Sequence, residues 1–147
     1  MKWGFEDYRS VALERFGQAW QLKKLEHFGL AMYVSGIAAE CMLRSFHRLD
    51  APFDEKHDIA LLFRSCDTER LGEWATGRLR APIQAIHLLW FNSFRFAHEQ
   101  MLLRHLKKFQ LDRGLPRGAN PLKVRCVELF DACAEVVTVG DQRWKSS

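Results

Sequence analysis

The sequence predicts an all-α protein, a four- to five-helix up-and-down bundle. Apolar residues recur at three- and four-residue spacing along most of the chain, and alternating strand-like runs are scarce. Only 4 prolines and 9 glycines interrupt 147 residues. With 48% hydrophobic and 12% aromatic residues the chain is expected to bury a core, and its length suits a single domain over 1–147.

Val11, Leu13, Phe16, Ala19, Trp20 and Leu22 mark a first helix over about 6–23. Lys23, Lys24 and Glu26 form a break. A second helix follows over about 26–48, with Ala31, Val34, Ala38, Met42 and Leu43 as its buried row. Its small residues (Gly29, Ala31, Ser35, Gly36, Ala38, Ala39) let another helix approach closely. Ala51-Pro52 stops it, since proline lacks the N–H and restricts the residue before it. Asp54 is expected to cap a third helix of roughly 55–66, with Ile59, Leu62 and Phe63 facing inward.

Residues 67–80, which hold two glycines, read as a connection or a weak helix. Pro82 suits a first-turn position and opens IQAIHLLWF. That run either ends near Asn92-Ser93, where a new helix is capped, or continues to about Leu111. GLPRGANP (114–121) is a loop. Asn120 then caps, and Pro121 opens, a last helix reaching about Val139.

No stretch approaches the roughly 18 apolar residues of a membrane helix, and MKWGFEDYRS lacks the apolar core of a signal peptide. The expectation is a soluble cytoplasmic protein with no membrane partner. Cys41, Cys66, Cys126 and Cys133 form no CxxC pair and no cluster at zinc spacing. They read as buried free thiols in a reducing compartment, with Cys126 and Cys133 on one stripe. No Walker or Rossmann phosphate loop is present, and neither a metal nor a cofactor is expected.

The net charge of +4 is unevenly placed. Residues 1–74 carry net −2, and residues 75–147 carry net +6. Between Arg78 and Arg125 there are 10 basic residues against only Glu99 and Asp112, a local +8. Such an excess suits a polyanion such as RNA, and it equally suits an ordinary solvated face.

Within that segment, LWFNSFRFAHEQ (89–100) sets Asn92, Ser93, Arg95 and His98 among large aromatics. On a helix, Arg95 and His98 would share one face, with Cβ atoms about 5–6 Å apart and Asn92 on the same stripe. With Ser93 as N-cap, Arg95 would lie in a first turn that already favours an anion. The guanidinium fork suits phosphate, and the imidazole can exchange a proton near neutral pH. RNA cleavage without a metal needs little more: the 2′-hydroxyl loses a proton and attacks the phosphate, the leaving 5′-oxygen gains one, and a cation stabilises the charge. A two-fold dimer would present the pair twice. Arg95 and His98 are therefore candidate catalytic residues, with Asn92, Arg104 and Lys108 as candidate substrate-binding residues. The plain alternative is a chance spacing, with Arg95 paired to Glu99.

Elsewhere, Glu40 sits in a mostly apolar helix and must find a partner; holding a basic side chain of the bundle is its structural reading. His57-Asp58 reads as a cap or turn. Arg80 is placed before the helix that carries His87, and His47 and His105 on solvated faces.

Three stretches resemble the HEPN superfamily of small helical-bundle proteins, in the family's order. AMYVSGIAAECMLRSF (31–46) is similar to a helix of the form A-x-Y-x-x-G-x-A-x-E-x-x-L-[KR]; KHDIALLF (56–63) is like a G-H-D-L-x-x-L segment; LWFNSFRFA (89–97) stands where the family has a tryptophan-containing run followed by Arg-Tyr. The likeness covers about 8–139. It implies an all-α two-fold homodimer, either a metal-independent endoribonuclease of a toxin–antitoxin or anti-phage system or a non-catalytic RNA or nucleotide binder. Its implied partners are RNA, an antitoxin or a nucleotidyltransferase. Active members carry Arg, a polar residue directly after it, and His four to six residues on. Here Arg95 matches the arginine, Phe96 fills the polar position, and only two residues separate Arg95 from His98.

Overall fold

The computed structural model describes residues 3–52 and 56–146. Its helices are α1 Phe5–Lys24, α2 Phe28–Arg44, α3 Ile59–Arg64, α4 Thr68–Leu71, α5 Glu73–Leu89, α6 Glu99–Lys108 and α7 Pro121–Lys145, with a 3-10 turn at Asn92–Phe96. The protein is all-α: the described residues contain no strand, only an isolated antiparallel bridge between His47 and Cys66. None of the described helices is long and apolar enough to cross a membrane.

The packing pattern follows from the composition of α2. Its small residues Ala31, Ser35, Ala38 and Ala39 are wholly buried, and everything from Ala38 to His47 is inside. The C-terminal part of α2 is buried on all sides and must be surrounded, and α2 lies between α1 and α7, with α5 packed along α7. Contacts fix the directions. Phe16 of α1 stacks on Phe130 of α7 at 5.2 Å, and Arg9 reaches Asp141 at 2.7 Å, so α1 and α7 are antiparallel. Leu122 shares a cavity with Phe28, Gly29 and Leu30, while Trp144 donates to the Ser45 hydroxyl at 2.9 Å, so α2 and α7 are parallel. α5 runs against α7, with Arg78 on Glu135 at 3.2 Å and Gly72 facing Arg143.

Glu40 finds the basic partner its burial demands: Arg44 Nε lies 3.4 Å from one carboxylate oxygen and His57 Nδ1 lies 2.7 Å from the other. Asp58 accepts the Leu61 N–H at 3.0 Å and caps α3. Asp54, expected in that role, lies outside the described residues. Asn120 caps α7 as expected, accepting from the Leu122 N–H at 3.1 Å. All four cysteines are free and buried. Burial pushes the Cys41 and Cys126 thiols up to about 11 and Cys66 to about 12, and raises Cys133 as well.

Several boundaries differ from those read in the sequence. α2 stops at Arg44 because Phe46 and His47 turn to pair with the α3–α4 connection, where the Asp67 N–H donates to the Phe46 carbonyl at 2.6 Å. His47 is consequently buried, with Nε2 3.3 Å from the Pro52 carbonyl, and not on a solvated face. Of the two readings of 67–80, connection or weak helix, the helical one holds: the segment carries α4 and the first half of α5. Pro82 lies inside α5, not in its first turn, and Arg80 is an exposed residue of that helix. The buried row Ala75, Leu79, Ile83 and Ile86 outweighs the one backbone hydrogen bond that Pro82 removes. α7 extends past Val139 to Lys145, anchored in its last turns by Arg9 on Asp141 and Trp144 on Ser45.

Candidate nucleic-acid interface

Of the two alternatives for residues 89–100, the run breaks and does not continue to Leu111, but it breaks at Leu89, and a 3-10 turn, not a helix capped by Ser93, follows. α5 ends at Leu89, and Trp90 and Phe91 are extended. The Trp90 indole sits where a Gly36 side chain would be and donates to the Tyr33 carbonyl at 3.2 Å. Seating that ring pulls the chain out of the helix. A 3-10 turn follows, closed by Phe94 N–H to the Phe91 carbonyl at 3.0 Å and Ala97 N–H to the Phe94 carbonyl at 3.1 Å. Ala97 and His98 are extended again, and α6 begins at Glu99.

Arg95 and His98 therefore lie on separate elements, not three apart on one helical face. Ser93 is exposed and caps no helix; the N-cap of α6 is His98, whose Nδ1 accepts the Met101 N–H at 3.4 Å. That contact requires a lone pair on Nδ1 and leaves Nε2 as the ring's remaining hydrogen-bonding atom. Glu99 supplies the acidic residue of the first turn.

An aromatic cluster fixes the turn to α6. The His105 ring lies 4.4 Å from Phe91, 5.2 Å from Phe94 and 4.6 Å from Phe109, the first two edge-on. His105 is thus not on a solvated face: its Nε2 is buried without a partner, and desolvation, helped by Lys108, holds its pKa below the usual histidine value. Asn92 opens the 3-10 turn with its Oδ1 buried and unpartnered, so the side chain is not fully presented to a ligand.

Outside this cluster the surface is cationic and aromatic. Arg95 is exposed and does not pair with Glu99; its guanidinium lies 4.4 Å from the centroid of the Phe96 ring, which is 74% exposed. Arg104, Lys107 and Lys108 stand on the exposed side of α6, and Lys108 lies 5.6 Å from the half-exposed ring of Phe109. Among the described residues no salt bridge joins Arg95, Arg104, Lys107 or Lys108 to a carboxylate. The rest of the basic segment is partly neutralised: Arg78 pairs with Glu135 and Arg125 with Glu128, and Lys123 approaches Glu26 at 3.9 Å. Arg95, Arg104, Lys107 and Lys108 thus form an uncompensated group around α6, and Arg80, Arg113 and Arg117 also stand outside the salt bridges among the described residues.

Phe96 and Phe109 were not among the residues the sequence singled out. The juxtaposition of Arg95-Phe96 and Lys108-Phe109 was the available signal, but the pattern does not distinguish an exposed ring from a buried one such as Phe94. Among the described residues no group of three or more His, Cys, Asp or Glu side chains is placed to hold a metal ion. Compared with protein-family models, curated proteins and solved structures, the chain shows no match.

Proposed function

We propose that this chain is a HEPN-like RNA-binding protein, and that the 3-10 turn together with α6 is the surface that contacts single-stranded RNA. The observation that carries this reading is the exposed Arg95–Phe96 pair beside the uncompensated Arg104, Lys107 and Lys108. Cations track a phosphate backbone, and exposed rings stack on unpaired bases. A guanidinium already lying along a ring adds a planar donor next to that platform. α6 is about 15 Å long at 1.5 Å per residue, with one cation–aromatic pair before its start and another at its end. The resemblance extends the proposal to a two-fold homodimer acting with an antitoxin or a nucleotidyltransferase.

A second reading, metal-independent RNA cleavage in a toxin–antitoxin or anti-phage setting, draws on His98. Its Nδ1 is engaged by the start of α6, its side chain is exposed, and Arg95 precedes it by three residues. In that reading Arg95 stabilises the scissile phosphate and His98 moves the proton.

Titration of the purified protein into a 5′-labelled single-stranded RNA in EDTA, across a salt series, separates the readings. Binding predicts saturable affinity whose logarithm falls linearly with the logarithm of salt concentration. Cleavage predicts shortened RNA and a loss of roughly 10²-fold or more in rate for His98→Ala and Arg95→Ala. A protein that neither binds nor cuts the RNA is a scaffold, and the proposal fails.

A further inference from the structure

Arg70 of α4 and Arg143 of α7 converge where α2 ends. Arg70 Nη2 donates to the Ser45 carbonyl at 3.0 Å, and Arg143 Nη2 donates to the Arg70 carbonyl at 3.1 Å. The Arg70 guanidinium is surrounded by Phe5, Phe46 and Trp144, at 4.6, 5.2 and 5.3 Å from their centroids. A pocket of about 250 Å³ opens here, lined by Phe46, Glu69, Arg70, Arg143 and Trp144.

The carbonyl contacts explain how both arginines are anchored, since each satisfies an acceptor at or beside a helix C-terminus. They do not neutralise the charge. Among the described residues neither guanidinium forms a salt bridge, and nearby Asp141 is taken by Arg9 at 2.7 Å and Lys145 at 3.1 Å. Arg70 Nη1 and Arg143 Nε are buried and meet no acceptor. The aromatic rings offset part of that cost at Arg70, yet two half-buried cations sharing one pocket remain a local excess of positive charge.

We propose that this pocket binds a phosphate group, as the free ion or as a small phosphomonoester. Two guanidinium charges match a dianion, and their planar donor arrays suit its oxygens. The Phe46 and Trp144 rings give an ester substituent an apolar wall. The pocket volume of about 250 Å³ suits a small molecule. The site is distinct from the RNA surface: Gly29, which faces Leu102 of α6, precedes Arg44 by fifteen residues of α2, roughly 22 Å at 1.5 Å per residue. Among the described residues Glu69 is the one carboxylate on the lining; it is exposed and opposes an anion, which makes it a sensitive probe.

Calorimetric titration of the full chain with inorganic phosphate, chloride-balanced to constant ionic strength, tests this. One saturable site per chain is expected. Arg143→Met should weaken it by roughly tenfold or more, the loss of a charge-assisted hydrogen-bonding group. Glu69→Gln should tighten it severalfold, because a repelling charge is removed. Methyl and phenyl phosphate distinguish the sources: esters that bind at least as tightly identify a phosphomonoester ligand, and esters that are excluded identify the free ion. Absence of saturation overturns the proposal. So does a Glu69→Gln protein with unchanged affinity, a result that stands even if Arg143→Met fails to fold.

Discussion

The Trp90 indole fills the space that a side chain at Gly36 would need, and its Nε1–H is held by the Tyr33 carbonyl at 3.2 Å. This contact joins the end of α5 to the first half of α2 and sets where the turn carrying Arg95 begins. Alanine is the better helix former by about 1 kcal/mol, so propensity alone predicts that Gly36→Ala stabilises. Overlap with a buried ring reverses the sign: Gly36→Ala is expected to destabilise by about 1–3 kcal/mol. Trp90→Ala is expected to lose about 3–5 kcal/mol through the cavity it leaves. Urea denaturation reads both, and a Gly36→Ala protein more stable than the parent would show that the ring does not sit there.

Glu40 and Arg44 form a buried pair with side chains only 6% and 5% exposed. Glu40→Met is expected to cost about 3–5 kcal/mol, because the guanidinium loses its buried counter-charge. Adding Arg44→Met should recover part of that loss, as apolar replacements of a buried pair cost less than breaking it. Equilibrium unfolding of the single and double variants decides the matter; a double variant destabilised by the sum of both single effects contradicts it.

His105 sets a pH dependence. Its folded pKa lies below the ordinary 6.5, first through desolvation and then through Lys108. The unfolded chain therefore takes up the proton more readily than the folded one, and stability rises with pH across that window. Its contribution is complete above pH 6.5 and declines as pH falls below that value toward the lower folded pKa. Replacing the ring by His105→Phe, which keeps an aromatic among Phe91, Phe94 and Phe109, should flatten the decline. Thermal melts from pH 7.5 to 5 compare the two proteins, and equal slopes would remove His105 as a source.

Much of the fold was legible in the sequence because its signals are local or periodic. The α1 row, the α2 small residues, and Asn120-Pro121 each act within a turn or two of helix. The misplaced boundaries depend on contacts distant in sequence. Pro82 reads as a helix start until Ala75, Leu79, Ile83 and Ile86 are seen to be buried together, and α7 reaches Lys145 through Arg9 and Ser45. At the candidate site, the chemistry-bearing types Arg95 and His98 were visible, but the break between them was not. It arises from Trp90 docking on Gly36, 54 positions earlier. His105 was misplaced for the same reason: a histidine next to Arg104 and close to Lys107 and Lys108 on α6 is drawn inward by the Phe91, Phe94 and Phe109 rings.

The proposed RNA surface requires contact through specific side chains of the turn and α6 and not through net charge alone. Phe96→Ala tests it most directly, because Phe96 is 74% exposed and uncharged, so the substitution leaves the core and the net charge as they are. Fluorescence anisotropy at one fixed salt concentration gives the dissociation constant for single-stranded RNA before and after. A weakening of about 1–3 kcal/mol is expected, the worth of one stacked base, while Leu49→Ala, exposed on the loop after α2, leaves affinity unchanged. Equal affinity of Phe96→Ala and the parent protein would contradict it.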